Sequence, residues 1–401
     1  MQEEPGAGVA AADDAFGADL YRVLGDGDAQ TVFSPVSVAA ALRMALCGAR
    51  GQTAAELAGA LHEAPDAAAG GPSATAAGGL RATAAEVLRA TAAEGLRATS
   101  AAVRDATADG SVTLRAPSIV WVQSGLPLLA EFTSQLGADA AADIGRVSFA
   151  EGPDEARAEI NRVIAEQTDG KITGLLPAPA VSARTRLVLT SAIYLKAGWA
   201  DPFPEADTRD TPFWPDGPDH PDLTVPMMHS TAPRAYRHSD GYQAVVLPYR
   251  GGRLAMAIVL PDGPLATLRP VIAAGGLRGL LAGTSRYQVT LALPRFRLEA
   301  AVDLIPILYQ LGVREAFTGQ ADFSGITEAE RLAIGAVAHK AYVDVDEQGT
   351  EAAAATAVSF RPTAVFRAPT PVTMTVDRPF LFVIIHTPTG LPLFVGQVRR
   401  P

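Results

Sequence analysis

The chain has 401 residues, 48% of them hydrophobic, so it is long enough to bury a sizeable core. Its 33 basic residues are outnumbered by 43 acidic ones, and the net charge of −10 disfavours nucleic acid and anionic membrane surfaces as partners. No apolar stretch is long enough to span a bilayer, and length alone predicts about two or three domains.

The first residues, 1–6, lack the basic segment and apolar run of a signal peptide. Localisation therefore stays open between the cytoplasm and secretion with a leader that this chain does not carry.

Cys47 is the only cysteine, so an internal disulfide is impossible and nothing requires an oxidising compartment. It ends the apolar run 38–47, which predicts a thiol buried in the core.

Residues 64–110 contain a repeat. The string Leu-Arg-Ala-Thr begins at Leu80, Leu88 and Leu96, so its leucines recur every eight residues. Eight residues slightly exceed two helical turns, and the leucines therefore drift slowly round one face. The pattern fits an alanine-rich amphipathic helix or a partly disordered surface insertion, and low-complexity drift explains it better than a partner site.

Alternating apolar residues predict three strands in the C-terminal part of the chain, at 339–347, 378–385 and 392–398. Between the first two lies the alanine run 349–358, followed by 360–371, whose three prolines exclude a helix. The proline segment is therefore predicted to be extended and open to proteases.

The alanine run has two competing local preferences. Alanine has the best helix propensity, but the alternate positions from Thr350 to Phe360 carry no charge, whereas Glu351 and Arg361 have the other parity. Laid into a sheet, the run would bury an uncharged face and leave both charges in water. The pattern alone leaves helix, loop and strand open.

An enzyme is the rival class of function. The sequence has no Gly-x-Ser-x-Gly elbow, no His-Glu-x-x-His zinc helix, no phosphate-binding glycine loop and no paired cysteines. Its six histidines do not recur at metal-ligand spacing. We therefore predict no catalytic residues, no cofactor and no metal, although a serine hydrolase triad defined by geometry alone stays conceivable.

Six short motifs occur in a defined order along the chain, at 33–38, 189–199, 225–228, 322–326, 346–356 and 377–382. This ordered set resembles the serpin family of serine protease inhibitors, and the segment 346–356 is similar almost residue for residue to the hinge of inhibitory members. Each string alone is weak evidence, but together they cover nearly the whole chain, and the alanine-, glycine- and arginine-rich composition suggests a bacterial-type member.

The resemblance implies one domain, 1–401, with an α+β serpin fold. Such a fold has a central, mostly antiparallel β-sheet, further β-sheets, surrounding α-helices and an exposed reactive-centre loop. The hinge and this loop would occupy 347–376, and the repeat at 64–110 would be an insertion. The protein is then a monomeric protease inhibitor and not an enzyme.

The resemblance also implies a suicide-substrate mechanism. A serine protease, or a cysteine protease, attacks the loop and forms an acyl-enzyme, and the freed end then inserts into the central sheet with the protease trapped covalently. Thr350 would enter the sheet first. The implied hinge residues are Gly349, Thr350, Glu351, Ala352, Ala353, Ala354, Ala355 and Thr356. Non-inhibitory serpins, used for binding or as chaperones, usually carry bulky or charged hinge residues, which are absent from the uncharged parity of this hinge.

Two counts place the reactive bond differently. Counting from the hinge gives Thr363 and Ala364, which suits an elastase-like or subtilisin-like protease with a small pocket. Counting back from the strand at 378 places the attacked residue at Ala368, and cleavage of the neighbouring bond between Arg367 and Ala368 would suit a trypsin-like enzyme. We prefer the hinge count, because the length inserted determines how far the protease travels.

Two further clusters follow from the resemblance. A shutter beneath the central strands would contain Ser34, Ser37, His339 and Ser191, the last in place of the family's usual asparagine. A breach near the point where the loop inserts would contain Trp199, Arg295, Lys340 and Glu347, with Arg295 pairing with Glu347. Taken alone, His339 equally fits a hydrogen-bonded core histidine, Trp199 a core residue, and the charges solvated surface.

Overall fold

A computed structural model describes residues 7–26, 29–63, 83–137, 142–217, 223–351 and 371–401. Short 3-10 turns lie at Glu205–Asp207, Leu265–Leu268 and Glu315–Phe317. The eight α-helices of the described part are α1 (Ala7–Leu24), α2 (Pro35–Gly48), α3 (Gly51–Ala60), α4 (Ala84–Thr107), α5 (Ala130–Gln135), α6 (Pro153–Gln167), α7 (Arg269–Gly279) and α8 (Ile305–Gln310).

The described strands form two sheets. The strands are β1 (Thr31–Phe33), β2 (Val112–Arg115), β3 (Ser118–Gln123), β4 (Ala142–Val147), β5 (Leu187–Gly198), β6 (Arg209–Phe213), β7 (Leu223–Ser239), β8 (Tyr242–Pro248), β9 (Leu254–Pro261), β10 (Ser285–Pro294), β11 (Phe296–Asp303), β12 (Ile334–Val345), β13 (Gly349–Thr350), β14 (Pro371–Thr375), β15 (Phe380–His386) and β16 (Leu391–Val398).

The central sheet has the strand order β11-β12-β13-β5-β3-β4, with β2 paired to the end of β5. Its pairs are antiparallel except β12 with β5 and β3 with β4. Residues 187–195 of β5 are all buried, because helices or the second sheet cover both of its faces. This confirms the expected α+β fold with a mostly antiparallel central sheet.

The second sheet has the order β1-β16-β15-β9-β8-β7-β10-β14, with β6 paired to β7. Every residue of β9 and β16 is buried. The strands predicted at 339–347, 378–385 and 392–398 are all present, as β12, β15 and β16, although β12 starts earlier and ends at Val345. The apolar runs of β15 and β16 are continuous because an apolar core covers the sheet.

Helix α2 lies at the centre of the core, and all of its residues are buried. Ser34 caps its first turn by accepting a hydrogen bond from the backbone N–H of Ser37, and Pro35 follows at the first helical position, where proline is tolerated. Cys47 near its end is 1% exposed, which confirms the predicted buried thiol. Burial, with a smaller contribution from Glu63, raises the pKa of Cys47 to about 12.

The later part of the repeat forms α4. A capping box between Thr83 and Glu86 starts the helix. The helix packs against α2, and at the contact a side chain on Gly95 would collide with Arg43, since a Cβ there would lie 2.3 Å from its Nε. Residues 64–82 are outside the described part. From Thr83 onward the repeat is therefore a helix with a buried face, the first of the two predicted alternatives.

Candidate functional site

The candidate site lies where β12 and β5 separate. From Ile334 to Tyr342, β12 pairs directly with β5 in a parallel register. Beyond that point the two-residue strand β13 lies between them, with Thr350 opposite Val345 on one side and Ala197 on the other. The beginning of the predicted hinge is thus already paired with both neighbouring strands.

Gly349 is required at this position by the close approach of the backbone. Its φ is +153°, and a Cβ on it would lie 2.1 Å from the carbonyl oxygen of Ala197. A side chain there would force β13 away from β5. The presence of glycine at position 349 therefore has a local steric reason.

Thr350 is fully buried, and its hydroxyl lies 2.6 Å from the hydroxyl of Tyr249. The Tyr249 ring stacks on Trp199 with a centroid distance of 4.6 Å and an angle of 13°. Burial raises the pKa of Tyr249, so its hydroxyl is neutral and can donate. Sequence reasoning missed Tyr249, because nothing local distinguishes it from any tyrosine that follows an apolar strand.

Glu351 ends the described part of the hinge. Its backbone N–H donates to the carbonyl of Asp344 at 2.8 Å, and its φ of +47° turns the chain away from the strand direction. Its carboxylate forms an ion pair with Lys171, a second residue that sequence reasoning missed. Outside the described residues lie the hinge residues Ala352, Ala353, Ala354, Ala355 and Thr356, and both candidate reactive bonds, Thr363–Ala364 and Arg367–Ala368.

Three of the four predicted breach residues lie together just before the hinge. The indole N–H of Trp199 donates to the carbonyl of Asp346 at 3.0 Å. Nε of Arg295 donates to both carboxylate oxygens of Glu347, at 2.8 and 2.9 Å. Burial alone would raise the pKa of Glu347, but hydrogen bonds from Arg295 and Thr208 outweigh burial and lower the pKa.

Lys340 does not belong to this cluster, and its expected position there is wrong. It pairs with Ala192, next to the pair formed by His339 and Ser191, and five residues before Val345, which corresponds to about 17 Å of strand. Its amino group donates to the carbonyl of Thr173 at 2.8 Å and lies 2.7 Å from the Glu299 carboxylate. Only the register of the sheet determines which residues of β5 lie beside Lys340.

The four predicted shutter residues lie together and are buried. The backbone N–H of Ser34 donates to Nε2 of His339 at 2.9 Å, so Nδ1 carries the proton and donates to Oγ of Ser191, also at 2.9 Å. Oγ of Ser34 donates to Oγ of Ser37 at 2.9 Å. His339 therefore links the start of α2 to β12 and β5.

Burial dominates the chemistry of this histidine. It lowers the pKa of His339 to about 3, so the imidazole is neutral at physiological pH. A neutral ring can accept one hydrogen bond and donate another, as the geometry requires. The serine at 191 takes the second hydrogen bond in the place of the expected asparagine.

Within the described ranges, no group of three or more His, Cys, Asp or Glu residues is arranged to hold a metal ion. None of the described helices is both long and apolar enough to cross a membrane.

The chain is similar to known proteins over nearly its whole length. The model of a family described as serpin (serine protease inhibitor) matches residues 11–401. An uncharacterized serpin-like protein of Thermococcus kodakarensis is 36% identical over 100% of this chain and 87% of its own length. The leukocyte elastase inhibitor of Sus scrofa is 33% identical over 98% and 99%. The crystal structure of Serpin48 of the insect Tenebrio molitor is 28% identical, covers all of both chains and has a TM-score of 0.79.

Proposed function

Because this chain belongs to the serpin family, we propose that it inhibits a serine protease as a suicide substrate. The protease would cleave the reactive-centre loop and remain attached as an acyl-enzyme while the hinge inserts into the central sheet. We propose that 1–401 acts as one monomeric domain, with the hinge and loop at 347–376.

The observation that carries the proposal is the position of β13 between β12 and β5. Continuing both of its antiparallel registers by two residues aligns Ala352 with Leu195 and Val343. Both of these side chains are buried in the core between the sheets. An inserting strand therefore needs small, uncharged residues at this parity, and the hinge has them.

The shutter supports the same register. Six residues beyond Thr350, the two registers bring Thr356 opposite both Ser191 and His339. Insertion must break the hydrogen bond between these two side chains, since they lie on the strands that separate. Thr356 would supply a hydroxyl at the one place where the buried face is polar.

Insertion is favoured by a gain in backbone hydrogen bonds, because two strand pairings replace one. The parallel pairing of β12 with β5 would be replaced by antiparallel pairing of each strand with the new one, so the number of backbone hydrogen bonds in the sheet increases. Cleavage releases the constraint that prevents this exchange, because an intact loop is held at both ends, by β13 and by β14.

The proposed target is an elastase-like or subtilisin-like protease that cleaves between Thr363 and Ala364. The hinge count sets this bond, and leukocyte elastase inhibitors are among the relatives. Cleavage between Arg367 and Ala368 by a trypsin-like enzyme is the alternative bond.

The test is to mix the protein with elastase, subtilisin, trypsin and papain and to look for a complex that survives SDS. The N-terminus of the released peptide identifies the bond: Ala364 is expected, and Ala368 would favour the alternative. Cleavage by every protease without any SDS-resistant complex would overturn the proposal and indicate a non-inhibitory serpin with a binding or chaperone role.

A further inference from the structure

We propose that Lys171 is a positioning residue that arrests the hinge at Thr350, and that insertion transfers the Glu351 carboxylate from Lys171 to Lys196. The inference rests on the proposed function, since it concerns the step that would follow cleavage of the loop. The two lysines lie on the same face of the sheet, and their removal would change the rate of insertion in opposite directions.

The first observation is how Glu351 is held. Lys171 lies on the linker 168–186, which connects α6 to β5, and forms an ion pair with Glu351. The Glu351 side chain is only 18% exposed, whereas that of Lys171 is 41% exposed. A glutamate that loses most of its contact with water depends strongly on its cationic partner.

The second observation is the backbone at Glu351. Its φ of +47° is uncommon for a residue other than glycine and takes the chain out of the strand immediately after Thr350. This conformation is disfavoured in itself, so the contacts of Glu351 must stabilise it. The ion pair with Lys171 is such a contact.

Apart from Tyr194, the other charged and titratable groups near Glu351 have partners of their own. Asp169 on the linker pairs with Arg115 at 3.3 Å. The hydroxyl of Tyr342 donates to the Asp344 carboxylate at 3.2 Å. Burial, followed by a hydrogen bond to the Glu351 carboxylate, raises the pKa of Tyr194, so this hydroxyl stays neutral and is a second contact of Glu351.

The third observation is the register that Glu351 would take in a longer β13. Its N–H already donates to Asp344, and one more residue of the same registers aligns Glu351 with Asp344 on β12 and Lys196 on β5. The alternate neighbours Val345 and Ala197 face the core, so Asp344 and Lys196 face outward. Opposed side chains in antiparallel strands lie close enough to form an ion pair.

Lys171 therefore acts on the hinge before insertion, and Lys196 acts on the strand after insertion. Lys171 stabilises the arrested hinge, and its removal should speed insertion. Lys196 would stabilise the inserted strand and offset repulsion by Asp344, so its removal should slow insertion. Partly exposed ion pairs make modest contributions, and we expect changes of about two- to fivefold in rate.

The experiment compares Lys171→Met, Lys171→Arg and Lys196→Met with Arg184→Met, a matched loss of positive charge at an exposed position on the same linker. Each protein is mixed with excess protease so that cleavage is not limiting, and insertion is followed as the fraction that becomes heat-resistant. The number of inhibitor molecules consumed per inhibited protease is measured in parallel. We expect faster insertion for Lys171→Met, slower insertion for Lys196→Met, and wild-type rates for Lys171→Arg and Arg184→Met.

A double-mutant cycle with Glu351→Gln separates the ion pair from a general effect of the linker. In the Glu351→Gln background, Lys171→Met should no longer change the insertion rate. Equal rates for Lys171→Met and Arg184→Met, an undiminished effect of Lys171→Met in that background, or the absence of insertion would overturn the inference. Insertion in the expected order without inhibition of any protease would leave the inference standing and overturn the proposed function.

Discussion

The hydroxyl groups of Thr350 and Tyr249 lie 2.6 Å apart, and both side chains are fully buried. The two residues are separated by 101 positions in the sequence, and their contact joins the start of the hinge to the core between the two sheets. Trp199 stacks on Tyr249 and donates to the carbonyl of Asp346, so the same cluster holds the chain just before the hinge.

Replacement of Tyr249 with phenylalanine should leave the Thr350 hydroxyl buried without this partner. We expect the free energy of unfolding of the intact protein to fall by about 1–2 kcal/mol, measured as a shift of the first urea transition. The control is Tyr287→Phe, at a half-buried position in β10, where we expect a change below about 0.5 kcal/mol. Equal shifts for both variants would show that the hydrogen bond contributes nothing.

Replacement of Thr350 with arginine should convert an inhibitor into a substrate. Thr350 is 0% exposed, and the burial of a guanidinium in the core face would oppose any lengthening of β13. We expect the loop to be cleaved at an undiminished rate while the SDS-resistant complex disappears. Thr350→Ser, which keeps the hydroxyl, should retain the complex, and a stable complex with Thr350→Arg would contradict the prediction.

Replacement of Gly95 with alanine should destabilise the contact between α4 and α2. A Cβ at this position would lie 2.3 Å from Nε of Arg43, which is fully buried and held by Asp13 and Glu63 at 2.7 and 2.6 Å. We expect a loss of about 2–4 kcal/mol in the free energy of unfolding, because the guanidinium cannot move without losing its partners.

Gly59→Ala in α3 is the control for this helix substitution. A Cβ on Gly59 would meet no atom within 4 Å, so the same change should raise the free energy of unfolding by about 0.5–1 kcal/mol through helix propensity. Both variants are measured by urea unfolding, and a shift of the same sign at the two sites would contradict the steric explanation.

The stability of the protein should decrease on acidification through His339. Its pKa is about 3 in the folded protein and about 6.5 when unfolded, so below pH 6.5 the unfolded chain binds more protons. The contribution is fully present above pH 6.5 and should fall by about 1.4 kcal/mol per pH unit as the pH decreases toward 3.

His339→Gln provides the comparison, since it has no group titrating in this range and leaves every other charge unchanged. Urea midpoints at pH 7.5, 6.5, 5.5 and 4.5 should converge between the two proteins as the pH decreases. A constant difference across the series would mean that His339 is not the group responsible.

The local sequence predicted the elements around the site better than the contacts within it. The apolar runs identified β15 and β16, and the residues expected in the shutter lie together, because they occur within motifs that have a defined place in the family's fold. Lys340 was assigned to the wrong cluster, because its position depends on the register between β12 and β5.

The sequence by itself determined the strands β12, β15 and β16, the burial of Cys47 and the uncharged parity of the hinge, because periodicity is a local property of a chain, and its ordered motifs identified the family by resemblance. Only the tertiary structure decided that Thr350 already lies between β12 and β5, that Tyr249 is its partner, and that Lys171 holds Glu351. These contacts join residues far apart in sequence, and their identity depends on how strands align and pack, which no local pattern contains.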